Sequence, residues 1–554
     1  MTATTATPAA PARPARPAAG GGTLTGTGTL VRFALRRDRV KLPAWLLVLT
    51  VLVFYYAAAL PEVLGDNVQA FGRFMVGPVG ALLGGPGYGS DAVTVEVAIV
   101  GVYGLYFLIA AALMNILLVA RHTRVEEQTG RSELVRASVV GRHAPLTAAL
   151  VVAAGANVLL ALLIGTAMAV SFPHPGQGFL FGASVGALGL VFAGVAAVTA
   201  QVSEYSRAAS GIAGAVLGAA YVVRAAGDML GGEAHGSALS WFSPLAWSQQ
   251  TRPYVDGRWW PLLLSVAAAA GAAAVGYALS ARRDVGAGLV AARRGRAAAA
   301  AWLSSPLAYA FRLHRASLLW WAAALVVAGV AYGALTQPIV DAFADAGTSE
   351  LIAVLGGDVS QLLDGYLGAM VLFDALLVSV FVVLGGHAVR AEESRGRAEP
   401  VLATAVSRWA WLGGHLAVLA AGAVGLLLVV GVVMGAASAA SVGEAGYVAD
   451  LVVAHLAYAP AVLVLLGVAA LLAGVAPRAV GLAWVAFVYG GFIGFFGPLM
   501  GPPQWVFNLS PYEHVARVPL EDLTWPPLLV LTAVAAGLVA AGLAGFRRRD
   551  LGTT

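Results

Sequence analysis

The sequence contains no cysteine and only one lysine, Lys41, among its 554 residues. Without cysteine the chain can form neither disulfides nor thiolate metal sites, and its nine histidines include no HxxxH or similar ligand pair. A chain that hydrolyses ATP needs a GxxxxGK[ST] loop to bind the phosphates, and Lys41 lies outside any such motif. We therefore predict no metal site, no bound cofactor, no catalytic residue and no nucleotide site on this chain.

Charged residues are also scarce, at 11%, whereas hydrophobic residues make up 59% of the chain and the mean hydropathy is +0.82. The apolar residues come in runs of roughly 20, the length that crosses a bilayer as a helix, and not in the alternating ten-residue pieces of a β-barrel. The composition predicts an all-α polytopic membrane protein, and we expect no nucleic-acid partner.

Twelve apolar runs predict twelve transmembrane helices. They lie near 43–60, 95–119, 145–170, 178–202, 209–230, 260–280, 317–335, 365–388, 411–435, 448–475, 479–500 and 525–545. With the N-terminus inside, four basic residues lie on the outer side (Arg73, Arg252, Arg258 and Arg517) and Arg224 lies within a span. The rest of the 33 Lys and Arg lie on the inner side, as cytoplasmic loops require. We expect a multi-pass protein of a bacterial plasma membrane with both termini cytoplasmic.

A charged decapeptide occurs twice, as RVEEQTGRSE at 124–133 and RAEESRGRAE at 390–399, 266 positions apart. At that offset residues 124–142 match 390–408 at ten of nineteen positions, and Arg282-Arg283-Asp284 matches Arg548-Arg549-Asp550. These matches indicate a tandem duplication. Because each half has six spans, the two halves should share one topology and be related by an axis along the membrane normal.

This duplication defines the predicted domains. We expect a disordered tail at 1–29, a first six-helix half at 30–290, a cytoplasmic linker with a second surface helix at 291–315, and a second six-helix half at 316–554. LVRFALRRDRVK at 30–41 has the pattern of an amphipathic helix on the membrane surface, although a solvated basic flank fits equally well.

The repeated segments lie in two predicted cytoplasmic loops, loop A (121–142) and loop B (387–408). If 124–136 is one helix, Glu127 and Arg131 lie one turn apart and pair, Glu393 and Arg397 repeat that arrangement, and each pair contributes about 0.2–0.5 kcal/mol. In that helix Glu126, Gly130 and Glu133 share one face, and the glycine between the two acidic groups lets a partner approach closely. Solvation alone needs charge but not the same residues twice, so we interpret the loops as docking surfaces. The candidate residues are Glu126, Glu127, Gly130, Arg131 and Glu133 in loop A and Glu392, Glu393, Gly396, Arg397 and Glu399 in loop B.

Four polar residues inside the predicted spans are candidates for a substrate path: Arg224, Asp228, Asp374 and Asn115. An ionisable group at the bilayer centre costs about 2.5–3.5 kcal/mol, so Arg224 and Asp228, one turn apart, should pair and face the protein interior. A lining of the path and a structural clamp fit this pair equally well.

The doubled E-E-x-x-G-R-x-E, RAAGD at 224–228, and LSWFSPLAWSQQTRPY at 239–254 followed by Trp259-Trp260 carry a resemblance over nearly the whole chain. The sequence resembles the permease subunits of actinobacterial ATP-binding cassette exporters of the polyketide-antibiotic (tetronasin-like) type, in the ABC-2 or type V group. The tail and PGYG at 86–89 have no counterpart in the second half, so the two halves need not act identically.

The resemblance implies surface elbow helices, coupling loops at 121–142 and 387–408, and short outer helices in segments 231–259 and 501–524. It further implies that ATP and Mg²⁺ bind to two ATPase domains, a homodimer of a separate subunit, and that the chain exports an amphipathic or hydrophobic compound. A proton- or ion-coupled twelve-span transporter, with Asp374 or Asp228 as proton carrier, is the alternative.

Overall fold

The computed structural model describes residues 22–64, 68, 72, 75–76, 78–231, 236–291, 295, 297–338, 359–518 and 520–551. The chain divides into two compact units, Met1–Gly295 and Arg296–Thr554. Within the described residues the secondary structure is helical and contains no strand. The prediction of an all-α polytopic membrane protein is confirmed.

The described part of the first unit contains ten α-helices. These are α1 (Thr27–Arg37), α2 (Lys41–Leu64), α3 (Pro78–Leu83), α4 (Val95–Gln128), α5 (Arg131–Arg136), α6 (Ala144–Ser171), α7 (Pro175–Val202), α8 (Ser206–Leu230), α9 (Pro244–Gln249) and α10 (Pro261–Ser280). Helix α7 is the most buried of the long helices, and it packs against α4, α6 and α10. Phe107, Phe181 and Phe192 are fully buried in this core.

The described part of the second unit contains eight α-helices. These are α11 (Pro306–Ala334), α12 (Val359–Ser394), α13 (Ala398–Leu402), α14 (Arg408–Val442), α15 (Tyr447–Val475), α16 (Leu482–Met500), α17 (Gln504–Asn508) and α18 (Trp525–Arg548). Helix α12 is central and packs against α14 and α15, while α18 packs along α15. Val371, Phe381 and Leu427 are buried in this core.

The described residues include eleven helices long and apolar enough to cross a membrane. Each coincides with one of the twelve predicted spans. The remaining prediction, 479–500, corresponds to α16, whose described apolar stretch, Leu482–Phe495, is shorter than the others. Hydrophobic run length therefore located all twelve helices in sequence order.

The N-terminal segment differs from the prediction in part. Residues 1–21 lie outside the described residues, but 22–26 form turns and α1 begins at Thr27, inside the segment for which we expected disorder. The carbonyl oxygens of Thr23 and Thr25 accept hydrogen bonds from the amides of His143 and Gly141, at 3.0 and 2.9 Å. These backbone bonds fix the segment against the end of loop A.

The predicted second elbow helix does not form as a separate element in the described part of 291–315. Residues 297–305 are turns and extended chain, and α11 then runs without a break from Pro306 to Ala334. The Ser305 hydroxyl accepts a hydrogen bond from the Ala308 amide, and Pro306 occupies the first helical turn, where its missing N–H costs nothing. This start signal merges the expected surface helix with the following span.

Both segments that we expected to carry short helices do so. The first contains the 3₁₀ helix Ala238–Phe242 and α9, and the second contains α17 and the 3₁₀ helix Pro511–His514. Residues 232–235 and 519, as well as 339–358 of the long connector before α12, lie outside the described residues.

Candidate functional site

Each repeated loop begins as a continuation of a long helix and then breaks at its glycine. Gly130 has φ 71° and Gly396 has φ 68°, in the left-handed region that ends many helices. No atom lies within 4 Å of the position of a Cβ at either glycine. The expected continuous helix over 124–136 is therefore wrong, and the backbone conformation rather than close packing requires the glycine.

Alanine at Gly130 should destabilise the purified chain by about 1–2 kcal/mol, because a Cβ in the left-handed conformation clashes with the next carbonyl oxygen. Thermal unfolding in detergent measures the effect. Gly155→Ala is the matched control, since Gly155 lies within α6 with nothing within 4 Å of its Cβ position, and it should be neutral or stabilising. Equal unfolding temperatures for the Gly130→Ala variant and the wild type would contradict the assignment.

The carboxylate of Glu127 joins loop A to the end of α10. Arg283, just after α10, binds it with both terminal nitrogens, at 2.7 and 2.8 Å, and Arg124 contacts the same carboxylate at 2.8 Å. The amide of Gly286 donates a further hydrogen bond at 3.2 Å. The Arg124 side chain is fully buried, so Glu127 neutralises a charge that water cannot reach.

The same arrangement recurs in the second unit. Arg549, just after α18, lies 2.6 Å from the Glu393 carboxylate, and Arg390 lies 3.0 Å from it. Glutamate and distal arginine are 156 residues apart in both units. We call these two groups clamp A (Arg124, Glu127, Arg283) and clamp B (Arg390, Glu393, Arg549).

Each clamp also includes the end of a third helix. Arg124 donates from Nε to the Ala200 carbonyl of α7, at 2.6 Å. Arg549 donates to the Ala473 carbonyl of α15, at 3.1 Å. Carbonyl groups in the last turn of a helix lack partners within the helix, so arginine is well suited to bind them. The start of each loop is thereby bound to two other helix ends of its own unit.

The far end of each loop is bound to the same helix as its start. Arg142, at the end of loop A, donates to the carbonyl oxygens of Ser280 and Ala281 after α10, at 3.2 and 2.7 Å. Arg408, at the end of loop B, donates to the Arg547 carbonyl of α18, at 3.2 Å, and to that of Arg549. Loops A and B are therefore anchored at both ends.

The predicted pairing within the loops is replaced by other partners. Glu127 and Glu393 face the clamps, so neither of the expected pairs with Arg131 and Arg397 forms. Glu126 instead pairs with Arg37 of α1, and Glu392 with Arg397 at 2.6 Å. The expected face shared by Glu126, Gly130 and Glu133 is also wrong, because the break at Gly130 turns α5 away from α4.

The exposed part of each loop is formed by the short helix that follows the glycine. In loop A, Arg131 and Glu133 are exposed, and Leu134 and Val139 expose 77% and 80% of their surface. In loop B, Glu399 and Pro400 are exposed. An acidic group beside uncovered apolar side chains on an anchored loop is suited to binding a protein partner.

Sequence reasoning missed Arg283 and Arg549 as parts of this site. The repeated Arg-Arg-Asp marked the register of the duplication, but its second arginine had no assigned partner. The usable signal was that this arginine, like the glutamate, is retained in both copies, which marked it as a candidate partner.

The substrate-path candidates Arg224 and Asp228 form a closed polar site in the first unit. They lie 3.3 Å apart and are 0% and 3% exposed. Arg224 also donates to the carbonyls of Ala81 and Leu82, at 2.8 and 2.6 Å, and the Ser240 hydroxyl donates to Asp228 at 2.7 Å. These contacts connect α8 to α3 and to the 3₁₀ helix, which is the geometry of a structural clamp.

The other two candidates also have buried partners. Asn115 and Asn157 exchange two hydrogen bonds, at 3.0 and 2.7 Å, between α4 and α6. Asp374 of α12 lies 3.3 Å from Nε2 of His455 in α15, and both side chains are fully buried. All four candidates are therefore buried among protein groups, whereas loops A and B expose part of their surface.

Comparison with known proteins identifies a family and a relative of this chain. The family model described as "Multidrug efflux system permease Rv1217c, C-terminal domain" matches residues 28–279 and 303–547. The chain is 40% identical over 538 residues to the multidrug efflux system permease protein Rv1217c of Mycobacterium tuberculosis, and the match covers 96% of each chain.

Proposed function

The chain belongs to the family of multidrug efflux system permeases, and from this membership we propose that it is the membrane subunit of an ATP-driven exporter of the ABC-2 (type V) group. The family match makes it a multi-pass membrane permease of an efflux system. The sequence has no loop that cradles nucleotide phosphates, so the proposed exporter takes its ATP hydrolysis from a separate subunit.

The observation that carries the proposal is the equivalent anchoring of loops A and B. Each loop is bound at its start by a clamp and at its end by an arginine, and each presents a short, exposed helix between those points. A loop that only keeps charge in water needs no such fixation. A loop that transmits movement from a partner does need to be fixed, because a flexible loop would move without displacing the helices to which it is joined.

The proposed complex contains this permease and two ATPase domains, a homodimer of one separate subunit, with one domain on each loop. ATP and Mg²⁺ bind to the ATPases. Both termini are cytoplasmic in the plasma membrane, and the substrate is an amphipathic or hydrophobic compound of the polyketide-antibiotic or drug-like kind. Each part of this proposal is what the resemblance of the duplicated loops and segments to such exporters implies.

In this mechanism the chain's residues transmit movement and perform no covalent chemistry. Closure of the ATPases displaces α5 and α13. Because clamps A and B tie each loop to the ends of α7 and α10, or of α15 and α18, the displacement reaches these helices together. The membrane helices then change their packing and release the compound outward.

The docking surface is tested by reversing its exposed charges. We expect the double variant Glu133→Lys/Glu399→Lys to retain less than about a tenth of the ATPase that co-purifies with the wild type in mild detergent, because like charges at an interface cost several kcal/mol. Glu444→Lys is the matched control: this exposed glutamate lies between α14 and α15, on the predicted outer side, and should leave ATPase retention unchanged.

Equal retention of the ATPase by the docking variant and the control would reject loops A and B as its binding surface. Reversal of Glu127 and Glu393 tests a different point. These side chains lie within the clamps, so their reversal displaces the loops rather than repelling a partner directly.

A proton-coupled transporter is the second candidate, and the buried pair of Asp374 and His455 favours it. His455 Nδ1 lies 2.7 Å from the Leu451 carbonyl, which only accepts, so Nδ1 carries a proton and Nε2 shares one more with Asp374. Such a pair is a proton-carrier candidate. Transport in vesicles driven by a proton gradient without ATP, and abolished by Asp374→Asn, would favour this function over the exporter.

A further inference from the structure

A groove of about 540 Å³ lies in the first unit between the start of α2, the end of α4 and the start of α8. One end is polar and basic, and the other is apolar. Its basic residues are Lys41, Arg121 and Arg207, and Ser206 and Ser210 add two hydroxyl groups. Arg121 and Val125 at the start of loop A line the groove, but no residue of clamp A does.

The basic end carries charge that the protein does not neutralise. Asp38 is the acidic residue of the lining, and it is already bound to Arg121 at 3.1 Å and to His122 at 2.6 Å. Lys41 and Arg207 are exposed, and neither forms an ion pair within the described residues. An anion that enters the groove therefore meets two free cations beside a third.

The apolar end is formed by Leu42, Trp45, Met114 and Leu117. Leu117 exposes 51% of its surface although it lies in a span, so this wall continues along the side of α4. Tryptophan is typical of the level at which lipid headgroups meet the hydrocarbon. A ligand that fits both ends has a compact anionic head and a long apolar tail.

We propose that this groove binds the headgroup of one anionic phospholipid, with its phosphate at Lys41 and Arg207 and an acyl chain along Leu117. Basic pockets between transmembrane helices at the membrane surface bind anionic headgroups. A free phosphate ion satisfies the cations equally well but leaves the apolar wall uncovered, which favours the lipid. The proposal requires neither an ATPase partner nor a transported compound.

The two units differ at this place. At the offset of the duplication, Lys41 corresponds to Leu307 and Arg121 to His387, so these two cationic positions are not repeated. One lipid per chain is the expected stoichiometry. The groove thus assigns a role to Lys41, the only lysine in the sequence.

Native mass spectrometry of the full chain tests the proposal. Delipidated protein is titrated with phosphatidylglycerol, with phosphatidylcholine, and with inorganic phosphate. We expect one saturable phosphatidylglycerol, at least tenfold weaker binding of phosphatidylcholine, and no displacement of the lipid by millimolar phosphate. Lys41→Gln/Arg207→Gln should weaken phosphatidylglycerol binding at least about tenfold, as expected for the loss of two charges near a headgroup.

Arg312→Gln/Arg315→Gln is the matched control. It removes the same charge from exposed arginines at the start of α11 and should change the affinity less than twofold. Lys41→Arg/Arg207→Lys keeps the charge and should keep the binding. If the glutamine pair does not yield folded protein, Lys41→Gln alone, an exposed position, replaces it. Equal affinity for both lipids, equal weakening by the control, or displacement by phosphate alone would overturn the proposal.

Discussion

Replacing Glu127 by alanine is expected to destabilise the purified chain by about 3–5 kcal/mol, the cost of removing one partner of a buried ion pair. Arg124 is fully buried, and without Glu127 its guanidinium and that of Arg283 face each other without a carboxylate. Clamp A contains no other acidic group that could take its place. Thermal and denaturant unfolding in detergent, followed by tryptophan fluorescence, measure the loss.

Glu133→Ala is the matched control for this prediction, because Glu133 is exposed and forms no ion pair within the described residues. Its effect should stay within about 0.5 kcal/mol. Glu393→Ala should cost less than Glu127→Ala, since Arg390 and Arg549 are 15% and 16% exposed and water can solvate them. Equal, small effects of Glu127→Ala and Glu133→Ala would show that clamp A does not hold loop A.

Arg224→Leu is the second substitution with a large expected effect, again about 3–5 kcal/mol. It leaves the carboxylate of Asp228, which is 3% exposed, and the carbonyls of Ala81 and Leu82 without their cation. The double variant Arg224→Leu/Asp228→Leu should be more stable than the single one, because it removes the uncompensated charge along with its partner. Unfolding of the single and double variants measures this difference.

The outcome separates the two interpretations that the sequence leaves open for this pair. A structural clamp predicts the large single effect and its partial recovery in the double variant. A lining of the substrate path predicts nearly unchanged stability together with altered transport of some compounds in vesicles. Arg258→Leu, which breaks a pair with Asp256 at the surface, is the control and should cost no more than about 1 kcal/mol.

Local spacing predicted the Arg224–Asp228 contact but not its surroundings. Residues four apart on a helix lie on one face, and the two side chains do meet at 3.3 Å. The carbonyls of Ala81 and Leu82 belong to a helix more than 140 residues earlier, and no periodicity within α8 refers to them. The sequence could therefore identify the pair and its burial, but not the element that it holds.

The repeated loops show the opposite case. The duplication singled out Glu127 and Glu393, which form equivalent ion pairs in clamps A and B, but the pairing of residues one helical turn apart predicted the wrong partners, Arg131 and Arg397. Glycine is the usual residue just after the end of a helix, and a glycine follows E-E-x-x in both loops. Reading that glycine as a helix end predicts the break at Gly130. With the helix ended, the local pairs lose their geometry and the distal arginines become the available cations.

Hydropathy was sufficient for the membrane helices because burial in lipid demands long apolar runs whatever their neighbours. The second surface helix expected within 291–315 came from the resemblance and not from hydropathy, and it is not a separate element from the helix Pro306–Ala334. The helix simply continues, since Ser305 and Pro306 supply one start signal and no residue between Pro306 and Ala334 supplies a stop.

Both ends of loop A attach to the end of α10, through Glu127 and Arg283 at its start and through Arg142 and the Ala281 carbonyl at its end. The loop and the helix end are therefore joined at two points. In the proposed exporter, a sideways force on α5 is therefore expected to tilt α10 rather than to stretch the loop. That helix has 20 residues, Pro261–Ser280, and is about 30 Å long. A tilt of α10 by about 5° about one end displaces its other end by about 2.6 Å over that length. A small movement of loop A is therefore expected to give a larger movement at the far end of α10.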